Sequence, residues 1–172
     1  MNNILYVGKH ALTWTVSRHV HQSWELIFCT GGSGEMVFDD KTLAYGANDV
    51  AIVPPMVPHS NNSGEGFTNI HMNLTDPALT YPEPLVIRAD SNGFLQDAFT
   101  AAFYYWSESS AEYTLLPLYG QLIVAFLTKY RPTRRHSDTV QQIEDNILQH
   151  YPDCTYDLNA YLCGGISTDH EC

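Results

Sequence analysis

Residues Arg18 to Gly32 read RHVHQSWELIFCTGG. The second half, Trp24 to Cys29, is a run of aromatic, β-branched and other apolar residues. It stops at Gly31-Gly32-Ser33-Gly34, so it reads as a strand followed by a turn. In the first half His19 and His21 stand two apart, and on a strand they point to one face. Glu25 keeps that parity if the strand continues without a bulge. The same short stretch therefore predicts a strand and supplies two imidazoles and a carboxylate for one side of it.

Working outward, similar short runs occur at Ile4 to Val7, Leu12 to Val16, Glu35 to Phe38, Val50 to Val53, Phe67 to Leu74 and Leu85 to Ile87. Turn residues separate them at Asp39-Asp40, Ala47-Asn48-Asp49 and Asn61-Asn62-Ser63-Gly64. Many short strands at this spacing predict an antiparallel sandwich or barrel over residues 1–90. From Gly93 the period changes. Phe94, Ala98, Ala101, Ala102 and Tyr105 form one helical stripe, and Leu115, Leu118, Leu122, Ala125 and Phe126 form another. The second helix is expected to start at Ser110 or Ala111, with Pro117 near its beginning or kinking it. A helical hairpin over 91–130 follows, then a polar linker, RPTRRHS, at 131–137. A third helix is predicted from about Asp138 to His150, with Val140, Ile143 and Ile147 on one face. Tyr156 to Leu162 has the makings of a short one.

Composition narrows the class. The chain has 172 residues, 44 % of them hydrophobic, enough for one domain with a real core and a short appendage. No apolar window is long enough to span a membrane. The first residues, MNNILYVGKH, lack the basic and apolar regions of a secretory signal, so a cytoplasmic location is expected. Cys29, Cys154, Cys163 and Cys172 show no zinc-ligand spacing and read as free thiols. Eight Lys/Arg against nineteen Asp/Glu give a net charge of -11, which makes the chain by itself a poor binder of nucleic acid. The basic cluster of Arg131, Arg134 and Arg135 reads as a solvated linker.

The chemistry-bearing residues leave two readings side by side. His19, His21 and Glu25, joined by His59 after the PPMVPH segment, form a nitrogen and oxygen donor set suited to zinc, iron, nickel or manganese. Alternatively the histidines are hydrogen-bonded to backbone or to Glu25, and Glu25 pairs with Arg18, because a buried carboxylate without partners is costly. His71, in the alternation His71, Asn73, is a further pocket candidate. A pocket for a polar small molecule is expected to draw on Trp14, Arg18, His19, His21, Glu25, His59 and His71. Trp14 or Trp24 offers a face for a sugar ring, and Arg18 a bidentate partner for a carboxylate. Trp14 shares a face with Arg18 only if no bulge separates them, and parity puts Trp24 opposite Glu25.

His19-x-His21-x3-Glu25-x6-Gly32 resembles the first cupin motif from its histidines onward, with Thr13 where that motif has its preceding glycine. Gly46, Pro54 and His59 resemble the second motif. There Met56 occupies the usual glycine place, and Ser63 stands where an asparagine is usual. Together with YGANDVAIVPPMVPH and two following helices, the chain resembles the sensor part of AraC-type transcription regulators. The segment from Ile143 to Ser167 resembles the opening of that family's helix-turn-helix domain. The resemblance implies a cupin-like (jelly-roll) double-stranded β-barrel, a helical hairpin and a short helical tail. It further implies an effector, often a sugar, in the barrel, and a homodimer through the helices, for which Leu115, Leu118, Leu122 and Phe126 are the candidate stripe.

In this reading residues 138–172 are the truncated beginning of the DNA-binding domain, so DNA contact is expected only through a missing C-terminal part and no base-reading residue is assigned here. No catalysis, no membrane association and no cofactor are expected, the alternative being one divalent metal on His19, His21, Glu25 and His59. The rival functions are a metal-dependent cupin enzyme and a binding module without a signalling role.

Overall fold

Two faces of one bent sheet are both buried, and the alternation of side chains along its strands sorts them into two cores. The computed structural model describes residues 3–88, 93–108 and 115–129. All of these belong to the unit Met1–Arg131. The strands are β1 (Asn3–His19), β2 (Trp24–Val37), β3 (Thr42–Gly46), β4 (Val50–Val53), β5 (His59–Thr75) and β6 (Leu85–Ile87), followed by helices α1 (Phe94–Ser107) and α2 (Leu116–Lys129). The sheet runs β1-β5-β2-β4-β6, with β3 paired to β2, and every pairing is antiparallel. This is the mainly β, cupin-type architecture expected, with two helices.

Parity explains the unbroken burial of the central strands. Leu26 and Phe28 of β2, Val50 and Ile52 of β4, and Ile70, Met72 and Leu74 of β5 pack in one cluster with Leu95 and Phe99 of α1 and Ile123 and Leu127 of α2. Their neighbours Ile27, Cys29, Ala51, Val53 and Phe67 turn the other way and join Met36, Phe38 and Tyr45. Phe28 and Phe99 lie face to face with ring centroids 5.3 Å apart. A strand covered on both sides reads as a continuous apolar run, as Leu26 to Cys29 does.

Several predicted breaks turn out to be bulges. Ile4 to Val7 and Leu12 to Val16 belong to the single strand β1, and the runs from Trp24 and from Glu35 belong to β2. The glycines between them do not reverse the chain. Gly32 has φ 75°, and a Cβ there would lie 2.2 Å from the Gly66 carbonyl oxygen, so β2 and β5 approach backbone to backbone. Asn61 to Gly64 likewise lies inside β5. The Ser63 hydroxyl donates to the Ser33 carbonyl at 2.6 Å and accepts from the Gly66 amide at 2.8 Å, holding the excursion against β2. Ala47-Asn48-Asp49 is a true turn, with Asn48 at φ 71° and the Asp49 amide donating to the Gly46 carbonyl. The strand β3 has no counterpart among the predicted runs; it is five residues long and only Tyr45 in it is buried.

The helices are rotated from their predicted stripes. In α1 the buried residues are Leu95, Ala98, Phe99 and Ala102, while Phe94 faces outward and stacks on Phe126 at 5.9 Å. In α2 the buried face is Leu116, Gly120, Ile123, Val124 and Leu127, and Leu118 and Leu122 point to solvent. Pro117 sits in the first turn, where its missing N–H is not needed. The Tyr81 hydroxyl donates to the Leu127 carbonyl at 2.8 Å and ties the loop after β5 to α2. None of the described helices is long and apolar enough to cross a membrane. The boundaries drawn at 90 and 130, the start placed at Ser110 or Ala111, the linker 131–137, the later helices and Cys154, Cys163 and Cys172 lie outside the described residues.

Phe99 is fully buried and Leu118 is 56 % exposed. Phe99→Ala is expected to cost about 3–5 kcal/mol of stability and Leu118→Ala within about 0.5 kcal/mol, read as urea midpoints at constant slope.

Candidate functional site

The site forms where β1 ends, β2 begins and β5 begins. His19 is the register partner of His59 across the β1–β5 pairing, and Glu25 stands on the neighbouring strand β2. Glu25 and His59 are buried. The Glu25 Oε2 atom lies 2.8 Å from His59 Nε2, 3.5 Å from His21 Nε2 and 3.7 Å from His19 Nε2. His59 Nδ1 lies 2.9 Å from the Val57 carbonyl oxygen. Both ring nitrogens of His59 thus lie within hydrogen-bond distance of oxygen atoms. Burial by itself raises the pKa of Glu25, but the imidazoles of His19, His21 and His59 outweigh it and hold the carboxyl well below the usual range. His19 is raised above its ordinary value, chiefly by Glu25, with burial opposing and the bond to the Ser17 carbonyl assisting.

A cavity of about 640 Å³ opens in front of this cluster. Arg18, His19, His21, Glu25 and His71 line it, while His59 sits behind Glu25. Arg18 does not pair with Glu25; its Nη2 donates to Asp39 at 2.6 Å on the surface. Trp14 does not line the cavity. It is 50 % exposed, at the place where the pairing jumps from Thr13↔Phe67 to Thr15↔Asn62. A second irregularity between Val16 and His19 breaks the parity on which a shared face with Arg18 depended. Trp24 packs on the helix side of β2, edge-on to Tyr81 at 6.3 Å, opposite Glu25 as parity required.

The wall beyond the carboxylate was only partly anticipated. Asn69, His71 and Asn73 alternate along β5 and line the cavity with Tyr6 and His10 of β1. His10 and His71 stack with centroids 4.6 Å apart, and a Cβ on Gly8 would lie 2.5 Å from His71 Nε2. Burial first, and the neighbouring His10 second, push His71 down to about 4. The available signal was Asn-x-His-x-Asn, uncharged polar residues alternating with Ile70, Met72 and Leu74, where a solvent-facing strand would carry Lys or Glu. Nothing in β1 marked Tyr6 or His10.

His19, His21 and Glu25 each offer one ligand atom within 4.8 Å of the others, a donor set that a divalent transition metal fits. His19 Nδ1 is engaged with the Ser17 carbonyl at 2.7 Å, which leaves Nε2 for such an ion. The residue at the cupin glycine place, Met56, has φ 64°, the conformation that favours glycine. Its amide donates to the His21 carbonyl at 2.8 Å and binds the PPMVPH turn to the histidine-bearing segment.

Residues 3–79 match the family of the AraC-like ligand binding domain. No curated protein matches the chain. Among solved structures, an apo ToxT variant from Vibrio cholerae shares the fold with a TM-score of 0.50 at 12 % identity, covering 95 % of this chain and 70 % of that one. A protein from Neisseria meningitidis is 22 % identical with a TM-score of 0.36, over 44 % of this chain and 84 % of its own. A cupin superfamily protein from Desulfitobacterium hafniense is 20 % identical with a TM-score of 0.37, over 44 % and 77 %. Residues 3–79 are thus similar to an AraC-like ligand binding domain, and the described strands have the cupin-type fold.

Of the three shifted groups at the site, His71 and Glu25 predict an acid limb with two parts, while His19, whose pKa is raised, works in the opposite direction as pH falls. Above pH 6.5 His71 is neutral in both states. Between 6.5 and about 4 the unfolded chain takes up a proton that the folded ring refuses, so stability falls as pH drops. Glu25 contributes stability that is present above the ordinary carboxylate pKa and is lost as pH falls toward its depressed folded value. Urea midpoints followed against pH are expected to flatten between pH 6.5 and 4 in His71→Gln, while the steeper loss at lower pH persists.

Proposed function

We propose that this chain is the effector-sensing and dimerisation part of a cytoplasmic transcription regulator rather than an enzyme. Its effector is a small polar metabolite, with sugars among the candidates. The observation that carries this reading is a cavity of about 640 Å³ lined by Arg18, histidines and asparagines inside an AraC-like ligand-binding domain. That volume lies within the usual range of small-molecule sites. DNA contact would belong to a helix-turn-helix domain, whose opening the sequence from Ile143 to Ser167 resembles, and the acidic balance of this chain accords with that division of labour. Effector acts by binding two arrangements of the domain unequally and shifting their populations.

The homodimer uses α2. Leu118 and Leu122 are exposed on the side of α2 away from its buried face, flanked by half-buried Leu115 and by Phe126, which also packs against the core and stacks on Phe94. A two-fold axis would bring the same face from each subunit together.

A second reading, a metal-bearing barrel of the enzymatic cupin kind, rests on the donor set of His19, His21 and Glu25, with His59 behind it. A bound divalent ion there supplies Lewis acidity toward a ligand oxygen. The protein side chains would hold the ion and exclude the wrong geometry. Elemental analysis of untagged protein discriminates. About one zinc, iron, nickel or manganese per chain, lost in His59→Ala, favours this reading, and substoichiometric metal favours the metal-free sensor.

Two outcomes test the main proposal. In a thermal-shift screen of sugars and small organic acids, a ligand at one hundred times its Kd stabilises by about 2.7 kcal/mol, and Asn73→Leu is expected to abolish the shift. A screen without any cavity-dependent ligand counts against the sensor. Leu118→Glu combined with Leu122→Glu is expected to convert a dimer to a monomer in sedimentation velocity while the circular dichroism spectrum stays that of the folded chain. A dimer that survives both changes places the interface elsewhere.

A further inference from the structure

Three buried polar atoms on residues lining the cavity have no protein partner: His10 Nδ1, Asn61 Oδ1 and Asn73 Nδ2. Leaving such an atom unpaired costs about 1–3 kcal/mol, a cost that a ligand able to reach these groups would relieve. The set is mixed. Asn73 Nδ2 donates, Asn61 Oδ1 accepts, and His10 Nδ1 does either according to tautomer. A carboxylate has only acceptors and would leave Asn61 unpaired; an ammonium has only donors and would leave Asn73 unpaired. Hydroxyl groups do both. Burial and the neighbouring His10 also keep His71 neutral down to about pH 4, and Asn61, Asn69 and Asn73 carry no charge.

Charge is found at the other side of the cavity. The Glu25 carboxylate is engaged by His59 at 2.8 Å. Asp39 takes one Nη2 contact of Arg18, whose guanidinium has five N–H donors in all, and the Arg18 side chain is 46 % exposed where it lines the cavity. The remaining donors match a carboxylate in fork geometry.

The geometry points to a hydroxylated carboxylate, a hydroxy acid, as the ligand class, with its hydroxyls on His10, Asn61 and Asn73 and its carboxylate on Arg18. This rests on the effector reading above and narrows it. The two ends act separately: the polar wall selects hydroxyls, and Arg18 selects the acid over the corresponding alcohol.

Calorimetric titration of the full chain, freed of metal with a chelator, tests this with three six-carbon probes: gluconate, glucitol and hexanoate. Gluconate is expected to bind at least roughly tenfold more tightly than either partial mimic. Arg18→Met, a change at a half-exposed side chain, is expected to bring gluconate down to the level of glucitol. Asn73→Leu is expected to bring it down to the level of hexanoate and leave hexanoate itself unchanged. Glucitol or hexanoate binding as tightly as gluconate overturns the inference, as does silence from gluconate. If gluconate is silent while another ligand from the screen still depends on Asn73, only the hydroxy-acid class fails. If no ligand depends on Asn73, the sensor reading fails with it.

Discussion

A carboxylate buried at the junction of three strands has to be neutralised on the spot, and the geometry of this end of the barrel follows from how Glu25 achieves that. An ionised side chain taken out of water without partners is costly by many kcal/mol, so burial of Glu25 is tolerable only with His59 at 2.8 Å and two further imidazoles close by. His59 is itself fixed by the Val57 carbonyl, and the turn that carries Val57 is fixed by the Met56 amide on the His21 carbonyl. Met56 accepts a left-handed backbone at φ 64° to make that bond. A residue other than glycine in that conformation costs about 1–2 kcal/mol. One buried charge therefore organises the end of β1, the start of β2 and the turn before β5, although these segments are far apart in the chain.

The same strands serve two environments because alternation assigns their two faces. On β5, Ile70, Met72 and Leu74 pack toward α1 and α2, while Asn69, His71 and Asn73 line the cavity. On β2, Leu26 and Phe28 face the helices, and Glu25 and Ile27 face the cavity. A slip of one residue in either register would put asparagines and a carboxylate among the apolar helix contacts. The polar cavity wall and the apolar helix seat thus enforce each other, and neither strand has a register in which only one of them survives.

The fold class was legible because it depends on short-range signals, the aromatic and β-branched runs around Trp24 to Cys29 and Val50 to Val53, and the change of period after Gly93. Strand ends were less legible. Gly31 to Gly34 and Asn61 to Gly64 carry turn chemistry, yet each serves a bulge, and the difference is set by a backbone contact between Gly32 and Gly66 that sequence spacing does not reveal. The convergence of His19, His21 and Glu25 was anticipated from parity along one strand. The structure reaches it differently, with the histidines at the end of β1 and the glutamate on β2. Trp14 was lost for the same reason, since its placement depended on an unbroken strand. Tyr6 and His10 are brought to the site by pairing with β5, a long-range event with no local mark.

The distance between cavity and helix surface bears on how such a barrel would signal. His71 faces the cavity, its neighbours Ile70 and Met72 belong to the cluster that holds Ile123 and Leu127, and the opposite side of that helix exposes Leu118 and Leu122. A ligand that changes the position of His71 acts on a strand whose other face belongs to the same core as α1 and α2, through tightly packed side chains that transmit strain poorly as gradual deformation. The response available to such a core is a change between discrete seatings of the helix, and a ligand influences it only to the extent that its bonds to the wall differ between them. A wall of asparagines and a neutral His71 suits that task, because a hydrogen bond made or lost there changes the balance by about 1 kcal/mol rather than by the several that a buried charge would impose.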